Sequence, residues 1–185
     1  MLKEKAAKIL ERSPSVKKKV RRVANTIGKG TKWVSDRSAP SQSSILKMPE
    51  WTFQLDLNSC GAQSAYMVMS YFGSTPSIEY VSRMVHTTKT GTSPTPMIQY
   101  FRSRGLSVST FQRKAVGLIK RAIDKGCPVI TSMKDQEGHW VVVYGYSRRH
   151  IWILDPAMKR ILGTRQSVER FRARWDGYAM VISRR

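Results

Sequence analysis

From Cys60 to Phe72 the apolar residues Ala62, Ala65, Tyr66, Met69 and Phe72 recur at the spacing of a helix with one broad buried face. Ser77–Val85 and Pro94–Arg104 follow as two more predicted helices, the second opened by a proline and closed by Gly105. Leu106–Phe111 reads as a short strand. Lys114–Lys125 carries Val116, Ile119 and Ile123 on one side and stops at Gly126, which predicts a fourth helix. Beyond Gly126 the period changes. Pro128–Met133, His139–Tyr146, Ile151–Leu154 and Tyr178–Ser183 are short runs with strand composition and turns between them. Ser167–Trp175 is a further predicted helix, set between the last two strands. Helices first and clustered strands after predict an α+β domain, its N-terminal helices packed on a C-terminal antiparallel β-sheet.

Residues 1–45 follow another pattern, and the expected division is a basic arm over 1–45 and a folded body over 46–185. Ser13-Pro14 resembles an N-cap followed by proline at the first helical position. Val16, Val20, Val23 and Ile27 then form one apolar stripe on a basic helix, ended by Gly28 and Gly30. Ser35 to Ser44 has the composition of a linker. Such an arm suits an acidic partner or an anionic surface, or it packs its stripe on the body.

Charge sharpens this picture without touching the chemistry. The 185-residue chain has a formal net charge of +21. The first 40 residues hold 12 Lys/Arg against 3 Asp/Glu, so the body is basic too. A field of this sign attracts polyanions. No stretch reaches 18 consecutive apolar residues, which excludes an integral membrane span from the expectation. The start MLKEKAAKIL has no apolar core of a signal peptide, so a cytoplasmic chain is expected, secretion as an effector being an alternative. The two cysteines, Cys60 and Cys127, stand in unlike contexts and read as free thiols.

The candidate chemistry lies in three separated segments. Cys60-Gly61 opens the long apolar helix after the polar Asn58-Ser59, which sets a sulfur at the positive end of a helix dipole. Gly61 leaves room for a substrate backbone. His139 stands between Gly138 and Trp140 at the mouth of a strand. Asp155 closes the next strand; if the two strands form a hairpin, a carboxylate and an imidazole share one end of it. Gln54, six residues before the cysteine, is an uncharged donor that can face an oxyanion together with the backbone N–H of Cys60. A nucleophile, a base, an orienting carboxylate and an oxyanion donor are the parts cysteine hydrolysis needs. Taken singly, each residue is more often structural; the four together in this order are far more specific. Asn58, Ser59, Gly61, Gly138 and Trp140 complete a candidate substrate cleft. The mechanism needs no cofactor, and three histidines with two cysteines at these spacings do not match a zinc site.

The segment Phe53-Gln54-Leu55-Asp56-Leu57-Asn58-Ser59-Cys60-Gly61-Ala62 resembles the nucleophile motif of the double-glycine leader peptidases, papain-like domains that trim bacteriocin and lanthipeptide precursors. Gly126-Cys127-Pro128-Val129-Ile130, Gly138-His139-Trp140-Val141-Val142-Val143-Tyr144-Gly145-Tyr146 and Ile153-Leu154-Asp155-Pro156-Ala157 resemble the family's second block. The resemblance covers roughly Met48 to Ser183. It implies a papain-like fold, a Cys60–His139–Asp155 triad, Gln54 at the oxyanion hole and no metal. The family usually carries an acidic residue just before its cysteine, where this chain has Ser59. Many members are fused to a membrane transporter, and this chain reads as a standalone domain.

Three functions follow. The first is a cysteine peptidase acting on a peptide or protein through an acyl-thioester. The second uses the same triad as a glutamine deamidase or acyltransferase effector. The third is a basic nucleic-acid-binding module, motivated by the charge alone and not favoured.

Overall fold

The computed structural model describes residues 40–48, 58–134, 138–157 and 163–185. The basic helix expected after Ser13-Pro14, and Gln54, lie outside the described residues. The chain divides into two units, Met1–Ser35 and Asp36–Arg185, and all described residues belong to the second.

Five helices, α1 (Cys60–Tyr71), α2 (Ile78–Met84), α3 (Pro94–Ser103), α4 (Val116–Asp124) and α5 (Val168–Arg174), occur among the described residues. The strands are β1 (Ser44–Ile45), β2 (Leu106–Gln112), β3 (Val129–Met133), β4 (His139–Tyr146), β5 (His150–Leu154), β6 (Thr164–Ser167) and β7 (Trp175–Arg184). Local chemistry sets the helix ends. The Ser77 and Ser167 side chains accept from the N–H groups of Tyr80 and Arg170 at the starts of α2 and α5. Glu79 and Glu169 add negative charge to those first turns. Gly105 and Gly126, with φ of 80° and 73°, let the chain leave α3 and α4 in the left-handed conformation.

The strands form one antiparallel sheet in the order β2-β7-β3-β4-β5-β6, with β1 added on β4. β3 is buried along its whole length and β4 nearly so, which explains the unbroken run Val141-Val142-Val143. Trp140, Val142 and Tyr144 face a core shared with Ala62, Ala65 and Met69 of α1, Val81 of α2 and Met97 and Phe101 of α3. The expected α+β architecture is thus present, helices against an antiparallel sheet.

Two strands escape the sequence reading. Ser44–Ile45, expected in the linker, pairs with Tyr146 and Gly145 of β4. Upstream, Asp124 accepts from both the backbone N–H and the hydroxyl of Ser41 and from the Tyr146 hydroxyl. The body therefore starts before residue 46, since this segment is bonded to α4 and β4. Thr164–Ser167 pairs with β5 as an edge strand. Trp175, expected to end a helix, instead opens β7 and packs between Phe111 and Phe171.

Gly61 and Gly117 give a test of this packing with opposite signs. A Cβ on Gly61 would lie 2.5 Å from the Cβ of Thr92, whereas one on Gly117 meets nothing nearer than the Arg121 guanidinium at 3.6 Å. Gly117→Ala is expected to stabilise by about 0.5–1 kcal/mol through helix propensity. Gly61→Ala is expected to destabilise by about 1–3 kcal/mol through overpacking. Urea unfolding midpoints check both; a stabilising Gly61→Ala would show that α1 does not press on Thr92.

Candidate active site

α1 starts at Cys60, so its first N–H groups have no partner within the helix and its positive dipole end lies at the sulfur. Cys60 is buried, 7% exposed. The turn of helix that carries it is braced from two sides. Gly61 presses on Thr92, and the Thr92 hydroxyl shares a hydrogen bond of 2.9 Å with that of Thr87. The Thr92 carbonyl accepts from Trp140 Nε1 at 2.8 Å, and the Trp140 carbonyl accepts from the Ser64 hydroxyl at 3.3 Å. Loop 87–93, the first turns of α1 and the start of β4 are thereby stitched together beside His139.

His139 and Asp155 are 5% and 6% exposed. The β4–β5 ladder pairs Val142 with Leu154, so both residues lie at one end of the hairpin. His139 Nε2 lies 2.6 Å from Asp155 Oδ1, and the same oxygen accepts from the Ala157 N–H at 2.9 Å. With Nε2 on the carboxylate, the other ring nitrogen is the one left for Cys60, whose sulfur favours the charged ring. Burial works against charge on this ring. The Asp155 carboxylate and the Cys60 sulfur outweigh it and raise the His139 pKa to about 9. Chemically this is a cysteine sulfur, a ring that holds a proton across the neutral range, and a carboxylate that orients the ring.

The candidate cleft residues divide. Asn58 and Gly138 are half-buried; Ser59, Gly61 and Trp140 are buried. The space a side chain on Gly61 would take is filled by Thr92 and Met97, so this glycine serves helix–loop packing. Trp140 packs edge-on against Tyr178, ring centroids 5.8 Å apart. Sequence reasoning passed over Thr92, Ser64 and the Ala157 N–H. Thr92 lies in a polar loop, and nothing in its type announces a partner 48 residues away. Cys127 is buried and lines a cavity of about 480 Å³ with Tyr71, Phe72 and Arg184, at the other end of α1. Among the described residues no three His, Cys, Asp or Glu side chains group as metal ligands, and no helix is long and apolar enough to cross a membrane.

Comparison with known proteins follows the same lines. The sequence profile of the Peptidase C39 family matches residues 49–185. The lactococcin-G-processing and transport ATP-binding protein LagD of Lactococcus lactis subsp. lactis is 27% identical over 132 residues, covering 70% of this chain and 18% of LagD. The pediocin PA-1 transport/processing ATP-binding protein PedD of Pediococcus acidilactici is 23% identical over 133 residues, 72% of this chain and 18% of PedD. The chain therefore spans about a fifth of the length of these curated relatives. In three dimensions it resembles a double-glycine-motif protease from an AMS/PCAT transporter solved with a leader peptide (TM-score 0.63, 21% identity, 80% of this chain and 100% of that one). It also resembles a C39-like peptidase from Bacillus anthracis (TM-score 0.66, 16% identity, 78% and 99%). These likenesses show a shared fold.

The His139 ring can be titrated directly. Followed by NMR, its imidazole is expected to titrate near pH 9, and in Asp155→Asn to fall toward the ordinary value of about 6.5. The pKa is raised in the folded state, so the stability contributed by His139 is complete below about pH 6.5 and is lost as pH rises through about 9. A wild-type midpoint near 6.5 would contradict the charge balance at this site.

Proposed function

The chain belongs to the Peptidase C39 family of cysteine peptidases, and on that premise we propose that Cys60, His139 and Asp155 cleave a peptide bond in a leader-bearing peptide, with Gln54 at the oxyanion hole. The observation that carries this reading is one buried imidazole, hydrogen-bonded to Asp155, whose charged form is favoured by that carboxylate and by the sulfur of Cys60 at a helix N-terminus. The family match favours peptide cleavage over the deamidase, acyltransferase and nucleic-acid-binding alternatives. Both cysteines are free thiols, in keeping with a reducing cytoplasmic location.

In the proposed reaction the Cys60 thiolate attacks the scissile carbonyl carbon. A C–S bond forms as the carbonyl π electrons move to oxygen. The oxyanion is met by the backbone N–H of Cys60 and by the Gln54 amide. As the tetrahedral intermediate collapses, the C–N bond breaks and the His139 imidazolium gives its proton to the departing amine. The neutral ring then takes a proton from water, whose oxygen attacks the thioester; collapse breaks the C–S bond and restores the thiolate beside an imidazolium. Asp155 holds the ring in the tautomer both steps require.

A synthetic peptide with Gly-Gly before the scissile bond provides the assay. Cys60→Ala is expected to lower cleavage by about 10⁴-fold or more. Gln54→Ala is expected to lower kcat by about 10²–10³-fold with KM little changed. Iodoacetamide at pH 7 is expected to alkylate Cys60 and spare Cys127, whose thiol pKa is raised by burial, with Lys125 only partly offsetting it. Cleavage that survives Cys60→Ala would end this reading.

A further inference from the structure

One buried polar group of α1 is left without a bond. Gln63 is 6% exposed, and its side-chain carbonyl oxygen Oε1 has no hydrogen-bond partner among the described residues. Its neighbours on the helix have their contacts. Ala62, Ala65 and Met69 pack in the core, Gly61 presses on Thr92, and Ser64 donates to the Trp140 carbonyl. The backbone N–H of Gln63 itself donates to the Ser59 carbonyl at 2.9 Å. A buried amide oxygen with no donor has given up its bonds to water and received none in return, which costs stability.

Helix geometry puts this oxygen beside the sulfur. At 3.6 residues per turn, Gln63 stands about 60° round α1 from Cys60, with Ser64 about 40° and Gly61 about 100° away on the other side. Around the first turn the order is Gly61 against loop 87–93, Ser64 against the start of β4, the sulfur, then Gln63. The core side of the helix, marked by Ala62, Ala65 and Met69, is centred about 130° from Gln63. Side chains three residues apart meet on a helix surface, and each leans toward the helix N-terminus. The Gln63 amide therefore belongs to the turn that carries Cys60, on the flank of the sulfur away from loop 87–93.

What this place lacks is a donor, since an amide oxygen only accepts. A peptide laid across Cys60 brings donors, one main-chain N–H per residue, and each needs an acceptor once it leaves water. Residues three apart on a helix have Cβ atoms ~5–6 Å apart, and an extended peptide advances ~3.3 Å per residue. A donor that meets Gln63 thus lies within about two residues of the bond over the sulfur. Resting on the peptidase reading of Cys60, we propose that Gln63 Oε1 accepts a hydrogen bond from a main-chain N–H of the bound peptide next to the scissile bond, and so fixes the register of that bond over Cys60. The empty protein carries the strain of an unpaired acceptor, and the complex relieves it. Local stability is given up where a binding contact is gained.

Backbone-ester peptides test this against Gln63→Met, methionine being unbranched like glutamine and lacking a strong acceptor. The parent is a fluorogenic peptide with Gly-Gly before the scissile bond. In each twin one N–H near the scissile amide, never the scissile one, is replaced by an ester oxygen. One twin is expected to lose about tenfold in kcat/KM with the wild-type chain and less than about twofold with Gln63→Met, whose activity on the parent is itself about tenfold lower. Gln63→Met is also expected to unfold at higher urea, because an unpaired buried oxygen is gone. Thr131→Val removes the other case in β3, a fully buried hydroxyl with no partner, and is expected to raise the urea midpoint while leaving kcat/KM unchanged. Gln63→Leu takes the place of Gln63→Met in the same comparison if the methionine chain does not fold. Anisotropy with Cys60→Ala, with and without Gln63→Met, reads the same coupling in Kd without turnover. Ester penalties that are equal in both proteins overturn the contact and leave the peptidase reading standing, whichever way the urea midpoint moves. Coupling in Kd with no cleavage of any peptide by the wild-type chain sustains the contact and removes the peptidase reading.

Discussion

A hydrogen bond of 2.6 Å between His139 Nε2 and Asp155 Oδ1, buried at the end of a two-stranded ladder, is the contact on which the rest of the site depends. Burying a carboxylate costs several kcal/mol unless its oxygens find donors. Oδ1 has two, the imidazole and the Ala157 N–H. The second is a backbone donor, fixed by the turn at Asp155-Pro156. The carboxylate therefore keeps its place whether or not the ring is charged. The ring, in turn, is charged because the carboxylate is there, with burial alone pulling the other way. Sheet and turn geometry are thus converted into a protonation state.

The sulfur reaches this pair by a different route. α1 belongs to the helical layer, and its N-terminus has to meet a sheet edge built from residues about eighty positions later. Thr92 joins the two. Its side chain presses on Gly61, and its carbonyl takes the Trp140 indole N–H. A methyl group on Gly61 would push the helix from the loop, and through the loop from the residue next to His139. The glycine's value here lies in the contact distance between the first turn of α1 and Thr92.

Much of this was legible in the chain and some was not, for separable reasons. Helices with one apolar face, such as Cys60–Tyr71 and Val116–Asp124, declare themselves because their period is a property of the segment alone. The buried strands β3 and β4 do so by their β-branched runs. β1 is two residues long, in a Ser/Pro-rich stretch, and exists because Tyr146 and Gly145 offer a free ladder edge. β6, Thr-Arg-Gln-Ser, is polar as edge strands are. At the site, Cys60, His139 and Asp155 were readable because one mechanism demands those types in that order. Thr92, Ser64 and the Ala157 N–H were not, because their contribution is a position, supplied by backbone or hydroxyl groups that any loop contains.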